Sequence, residues 1–351
     1  MILSTMTPIS WVLNILFLAI GILCLVKGAD FFVGSASSVA KRFHISSLVI
    51  GLTVVAFGTS APELAVSIAS AIKGESGIAL GNVVGSNICN IALVLGLSAL
   101  LNPLPVKKAL IKRDFPFVII ASIFLLIFCL DNVFDGLSGI ENIIARGESL
   151  ILVFGIVAFT LISINSAKKD IENGVSTEGE VEEIVEMPMK KAIPLLLVGL
   201  VLIVLGAEFV TTPASTMATQ IGVMLGVDQE LMATVVGLTV VAIGTSLPEL
   251  VTSVIAAKKG ENEIALGNVI GSNIFNILCV VGISGVIKPL DATQDIITDL
   301  MISIVLIIIA YAFSYNSKIS RGKGASLVAF YVIYLVYIVL RLFNPFLVIG
   351  V

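Results

Sequence analysis

Fourteen residues, Gly51 to Leu64 (GLTVVAFGTSAPEL), return 186 positions later as Gly237 to Leu250 (GLTVVAIGTSLPEL) with two differences. Each copy sets a Gly-Thr-Ser run, a Pro and a Glu inside an otherwise apolar stretch. In lipid that combination is costly. A carboxylate near the bilayer centre costs roughly 2.5–3.5 kcal/mol even on lenient insertion scales, and broken helix is tolerated there only against protein or a water-lined cavity. The doubling therefore predicts that Glu63 and Glu249 face each other across a cation site.

Composition says that the solvent is indeed lipid. The chain is 58% hydrophobic and 13% charged, with a mean hydropathy of +1.12, whereas soluble domains carry about a quarter charged residues. A net charge of −4 without a basic block offers nothing to nucleic acid. Cys24, Cys89, Cys129 and Cys279 lie in apolar runs without paired spacing and read as reduced core residues, not a disulfide framework. The single histidine, His44, follows Lys41 and Arg42 and reads as a loop residue. One His and no thiolate cluster serve zinc or copper poorly, so hard cations with oxygen ligands fit the inventory. Nothing basic precedes Lys27, so the first apolar run lacks the charged start of a signal peptide and is kept as a span.

Apolar runs of about 20 residues number ten, at roughly 10–41, 47–72, 77–101, 115–131, 149–167, 192–220, 231–257, 263–287, 297–316 and 325–345. The expected fold is an all-α polytopic membrane protein with ten transmembrane helices. Residues 1–167 would form the first five-helix repeat, 168–191 a solvated cytoplasmic linker, and 192–351 the second repeat. The linker holds seven acids, Asp170, Glu172, Glu178, Glu180, Glu182, Glu183 and Glu186, without the Gly-punctuated spacing of a calcium loop. Placing both termini outside puts fifteen of the twenty Lys and Arg residues in cytoplasmic loops, while outer loops carry Asp131, Asp135, Asp228, Glu230, Asp291, Asp295 and Asp299. An odd number of spans separates the two copies, so the second half enters the cell membrane upside down. Such inverted repeats place a transport site at their interface near the midplane.

The repetition extends further. Ala79 to Ile91 (ALGNVVGSNICNI) returns as Ala265 to Ile277 (ALGNVIGSNIFNI), again offset by 186, and Gly28-Ala29-Asp30-Phe31 is echoed by Gly206-Ala207-Glu208-Phe209. Pro62 lacks an amide hydrogen, so the Gly58 carbonyl loses its helical partner, and Pro248 does the same to Gly244. Those carbonyls and the neighbouring ones of Ala56 and Ala242 join the hydroxyls of Thr59, Ser60, Thr245 and Ser246 as candidate ligands. Ser86 with Asn90, and Ser272 with Asn276, are spaced i, i+4 and share a helix face. Asn82 and Asn268 read as helix caps at the breaks, and Asp30 and Glu208 as packing anchors or gate residues. The donor set is all oxygen, which suits Ca²⁺ with six to eight ligands at about 2.3–2.6 Å, and Na⁺ accepts the same donors.

The paired G-T-S-x-P-E and G-N-x-x-G-S-N-x-x-N segments resemble the two α-repeats of the sodium/calcium exchanger family, within the cation/calcium antiporter superfamily. The layout is similar to that of its short archaeal and bacterial members. The resemblance implies that Glu63 and Glu249 bind the cations, helped by Asn90, Asn276, Thr59, Ser60, Thr245, Ser246, Ser86, Ser272 and the carbonyls of Ala56 and Ala242. It further implies three Na⁺ per Ca²⁺, electrogenic exchange, and alternating access in which spans 1 and 6 slide across spans 2, 3, 7 and 8. Na⁺ and Ca²⁺ would be the transported substrates, with the lipid bilayer as solvent, no cofactor and no required protein partner. Potassium-dependent relatives carry Asp where this chain has Asn276, which argues against potassium co-transport. A proton/calcium antiporter using the same carboxylates is the alternative, although Asn90 and Asn276 do not titrate. An enzyme is disfavoured, because Ser60 and Ser246 have no His or Lys nearby in sequence to activate them.

Overall fold

Long apolar segments have one low-energy backbone in hydrocarbon, the helix that satisfies its own hydrogen bonds. Among the described residues, the computed structural model is accordingly helical in its regular structure apart from four two-residue strands. It describes residues 8–43, 45–130, 142–172, 187–225, 236 and 242–343. Outside them lie His44, the linker acids Glu178 to Glu186, the outer acids Asp131, Asp135, Asp228 and Glu230, and the first five residues of the second motif, 237–241.

The helices are α1 (Pro8–Arg42), α2 (Ser47–Thr59), α3 (Ala61–Lys73), α4 (Ser76–Leu101), α5 (Phe115–Phe128), α6 (Arg146–Glu172), α7 (Met189–Met224), α8 (Ala242–Thr245), α9 (Leu247–Lys258), α10 (Asn262–Ile287), α11 (Gln294–Ser314) and α12 (Arg321–Phe343). Among the described residues seven are long and apolar enough to cross a membrane, or eight when the bent pair α2 and α3 counts as one span. Of the other expected spans, 47–72 is the bent pair α2 and α3, 231–257 lies partly outside the described residues, and α5 keeps only 14 regular residues after a π-helical turn at Leu110–Asp114. Pro194 and Pro213 sit inside α7 without ending it.

Burial sorts the helices into two classes. In their most apolar windows α4 and α10 are 78% and 83% buried, whereas α1 is 11% and α7 22% buried. The two central helices are thus wrapped by protein, and the long outer pair presents Ile9, Leu16, Leu23, Leu197 and Val201 outward as lipid-facing surface. Where helices cross closest, glycine is the reason. A Cβ on Gly199 of α7 would stand 2.8 Å from the Gly28 carbonyl of α1, and one on Gly206 would stand 2.9 Å from that of Gly21. Likewise a Cβ on Gly267 of α10 would stand 2.8 Å from the Leu48 carbonyl of α2. These are backbone-on-backbone contacts of the kind small residues permit in membranes.

Two short antiparallel ladders tie distant segments together. Strand β1 (Leu104–Pro105), which follows α4, pairs with β4 (Lys318–Ile319) between α11 and α12, in the register Leu104 to Ile319. Strand β2 (Ile143–Ile144), before α6, pairs with β3 (Leu290–Asp291) after α10, in the register Ile144 to Leu290. Polar contacts gather at the same two ends. With the first ladder come the Lys107–Glu263 ion pair and the bond from Asn102 Nδ2 to the Ala257 carbonyl, 2.7 Å. With the second come the bidentate Arg341–Asp299 pair, both bonds 3.1 Å, and Arg146 on the Ile287 carbonyl, 3.4 Å. The four cysteines are unpaired, and all but Cys24 are buried.

Candidate functional site

The site begins with two prolines. Pro62 occupies the first turn of α3 and Pro248 that of α9, where a missing N–H costs nothing but the preceding helix cannot continue. Between the helical pieces Ser60 (φ −86°, ψ 9°) and Ser246 (φ −88°, ψ 5°) adopt the same non-helical hinge, and α2 meets α3 at a bend of 47°. Each break presents carbonyls from the end of one piece and places a Glu in the first turn of the next. Helix N-termini favour a carboxylate, and unwound carbonyls favour a cation.

Glu63 and Glu249 are both fully buried. Ser86 Oγ lies 3.5 Å from Glu63 Oε1 and Ser272 Oγ lies 3.4 Å from Glu249 Oε1, a matched pair of contacts from α4 and α10. The halves are stitched across each other here. Ser60 Oγ donates to Glu249 Oε1 at 2.7 Å, Thr59 Oγ1 donates to Asn268 Oδ1 at 3.0 Å, and Asn276 Nδ2 donates to Asn87 Oδ1 at 3.1 Å. The two carboxyl groups are near enough to interact electrostatically. The two sequence copies are not equivalent here, since Ser246 is buried and makes no bond to Glu63 like that of Ser60 to Glu249. Thr245 lines a cavity of about 590 Å³ that also touches Asn82 and Gly85 and reaches Asp295, Asp299 and Arg341.

Asn90 and Asn276 fall at π-helical turns, Cys89–Val94 and Asn276–Val281, one in each central helix. A π turn displaces carbonyls from the regular ladder and often marks a functional position. The Ala56 carbonyl is not bare. It accepts the Ser60 amide at 3.0 Å and contacts Thr59 Oγ1 at 3.4 Å, so it keeps one lone pair for another partner, not two. Ala242 lies in the helical turn before the second hinge.

Four oxygens then stand out. Glu63 Oε2, Glu249 Oε2, Asn90 Oδ1 and Asn276 Oδ1 are all buried and lack a hydrogen-bond partner. Buried acceptors are ordinarily satisfied, and carboxylate and carboxamide oxygens are hard donors of the kind Ca²⁺ takes.

Asn82 and Asn268 are not helix caps. They stand within α4 and α10 and reach sideways: Asn82 Nδ2 donates to the Glu63 carbonyl (3.3 Å) and Ser67 Oγ (3.0 Å), and Asn268 Nδ2 to the Glu249 carbonyl (3.4 Å) and Ser253 Oγ (2.9 Å). Each asparagine thereby clamps the first turn that carries the acid. Asn87 and Asn273 are not among the ligands expected from the sequence. The signal that would find them is their place in the doubled Gly-Ser-Asn, three residues before Asn90 and Asn276 and so on a neighbouring face. Asn273 spends Nδ2 on the Val269 carbonyl (2.8 Å) and has a free Oδ1.

A family model described as sodium/calcium exchanger protein matches residues 13–165 and 191–340. The chain is 37% identical over 350 residues to the sodium/calcium exchanger MaX1 of Methanosarcina acetivorans, covering 92% of this chain and 97% of that protein. It is 33% identical over 324 residues to the inner membrane protein YrbG of Escherichia coli, covering 91% and 94% respectively. Among solved structures it matches the sodium-calcium exchanger NCX_Mj soaked with Na⁺ and Sr²⁺, with a TM-score of 0.76 and 30% identity over 93% of this chain and 98% of that one.

Proposed function

The chain belongs to the sodium/calcium exchanger protein family, and from that premise we propose that it is a secondary active antiporter, not an enzyme, exchanging Na⁺ for Ca²⁺ at the site between the two hinges. The observation that carries the reading is the set of four buried oxygens without partners, on Glu63, Glu249, Asn90 and Asn276. Hydroxyls of Thr59, Ser60, Ser86, Thr245, Ser246 and Ser272 and the carbonyls of Ala56 and Ala242 complete the proposed ligand set.

Charge sets the coupling. One Ca²⁺ cancels the two carboxylates, whereas three Na⁺ leave the loaded site at +1. Three-for-one exchange would carry one net charge per cycle, worth about 2.3 kcal/mol per 100 mV of membrane potential. Ions that share ligands exclude one another, and exclusion is what couples their movements. An empty site strands two like charges in low dielectric, which opposes the conformational switch and so suppresses leak. Asn90 and Asn276 cannot carry protons, which supports sodium over protons as the counter-ion.

The architecture proposed for this cycle is ten spans in two inverted halves, 1–167 and 192–351, joined by the cytoplasmic segment 168–191, with both termini outside. The α1 and α7 pair would move against the core of α2, α3, α4, α9 and α10 to expose the site to alternate sides. Supporting this division, α1 and α7 pack on each other through glycines and are little buried in their most apolar windows.

The test is uptake of ⁴⁵Ca²⁺ into vesicles loaded with Na⁺, K⁺ or protons in separate experiments. Sodium-driven uptake is expected for the wild type, and loss of it with retained folding for Glu63→Gln. Sodium-driven uptake that persists in Glu63→Gln would refute the assignment of that carboxylate.

A further inference from the structure

Each Pro-broken segment ends in the same three residues, Lys73-Gly74-Glu75 at the end of α3 and Lys259-Gly260-Glu261 at the end of α9. Both glycines are left-handed, at φ 85° and 77°, so the two turns share one backbone shape. The long outer helices carry a matching pair of polar positions. Asp30 and Ser37 on α1 correspond to Glu208 and Ser215 on α7, at the 178-residue offset that also relates Gly28 to Gly206.

Among the described residues, one of the two sets is joined and the other is not. Lys259 Nζ sits 2.7 Å from Asp30 Oδ1 and donates to the Asp30 carbonyl at 3.0 Å, while Ser37 Oγ donates to Glu261 Oε1 at 2.6 Å with both side chains buried. At the mirror positions Lys73 and Glu75 are exposed. Glu208 takes its bond from within its own helix, from Thr212 Oγ1 at 2.6 Å, and Ser215 Oγ is buried without a partner. Residue type does not explain the difference. The same residue types occupy both sets, a Lys and a Glu in the turn with an acid and a Ser on the outer helix, and both turns share the left-handed glycine. What differs is the position of the outer helix relative to the turn.

We infer that these are two copies of one latch, engaged alternately: Ser37–Glu261 with Asp30–Lys259 closes one end of the site, and Ser215–Glu75 with Glu208–Lys73 closes the other. The inference rests on the exchange reading, since only a carrier that opens to each side in turn needs its two ends to differ by turns. A hydrogen bond to a charged group is strong enough to shift a two-state balance on the order of tenfold. The carboxylates, serines and lysines are thus positioning residues that set which face is open. None of them belongs to the proposed ligand set.

The test uses the full-length chain in proteoliposomes, in a Cys24→Ser background because the other native cysteines are buried. One double variant carries Ser37→Cys with Glu261→Cys, the other Ser215→Cys with Glu75→Cys. The first pair is expected to cross-link on oxidation without ions. The second should cross-link only while the protein turns over with Ca²⁺ under a sodium gradient. Either bridge should slow exchange more than tenfold, and reduction should restore it. Separately, Ser37→Ala and Ser215→Ala should move the apparent KM for Ca²⁺ in opposite directions at a given face of orientation-sorted vesicles. A second pair that never cross-links during turnover, or two alanine variants that shift KM the same way or not at all, would overturn the latch while wild-type exchange stands. Wild-type vesicles without sodium-driven uptake would overturn the exchange reading and the latch with it, so the two failures are told apart by the wild type.

Discussion

The crossing of α1 over α7 supplies a prediction whose size follows from distances. A Cβ added at Gly199 would lie 2.7 Å from the Phe32 amide nitrogen, 2.8 Å from the Gly28 carbonyl oxygen and 3.0 Å from the Phe32 Cα. Ordinary contacts of this kind begin near 3.4 Å, so Gly199→Ala requires the helices to separate by about half an ångström or more. All three atoms are backbone, and no side chain can rotate away to absorb the strain. Overpacking of this kind costs typically about 1–3 kcal/mol. Two other glycines serve as internal standards. A Cβ on Gly155 would stand 3.1 Å from Leu278 Cδ2, the movable end of a side chain, so Gly155→Ala should cost well under about 1 kcal/mol. A Cβ on Gly322, in the first turn of α12, would meet nothing within 4 Å among the described residues, and there alanine should be neutral or gain up to about 1 kcal/mol. Thermal unfolding of the purified variants in one detergent should therefore rank Gly322→Ala highest, Gly155→Ala next and Gly199→Ala lowest. Equal midpoints for Gly199→Ala and Gly322→Ala would refute the claim that the outer helices meet backbone to backbone.

Three further outcomes are expected. Arg341→Ala should destabilise the protein by roughly 3–5 kcal/mol, because it leaves the mostly buried Asp299 carboxylate without its bidentate partner, and Asp299→Asn in the same chain should recover part of the loss in a thermal midpoint. Asn276→Asp adds a third carboxylate, so one bound Ca²⁺ leaves the site at −1, and ⁴⁵Ca²⁺ exchange should acquire a requirement for an additional monovalent cation. Rates indifferent to added K⁺ and to pH would contradict that arithmetic. Asn82→Leu should weaken Ca²⁺ uptake by raising KM, because the clamp on the Glu63 carbonyl and Ser67 is lost. An unchanged KM would show that the first turn of α3 holds its acid without help.

The site is more legible than the scaffold, for a physical reason. An acid, a proline and adjacent hydroxyls have few excuses in lipid, so Glu63 and Glu249 stand out from the chain alone, and the structure brings both into one buried oxygen-rich place. The π turns at Asn90 and Asn276 leave no such trace, because one extra residue in a helical turn changes neither hydropathy nor propensity. The ladders are equally silent. Leu104-Pro105 is too short to show alternation, and its partner Ile319 is more than two hundred residues away. Asn82 and Asn268 look like caps in the sequence because Asn favours helix ends, whereas here a buried carbonyl and a buried serine across the helix interface outweigh that preference. The Lys-Gly-Glu turns are plain in both copies, but only side chains in place show that one turn is occupied and the other is not.

The paired ladders bear on how the two halves close. Each joins a strand of the first half to a strand of the second, β1 to β4 and β2 to β3. A half alone would display two unprotected strand edges, one at each of its ends, and exposed edges recruit partners. Two identical copies of that half, inserted in opposite senses, would cover both edges at once. On the proposed plan of two inverted halves, the two ladders would be the seams that close one half against the other at both rims.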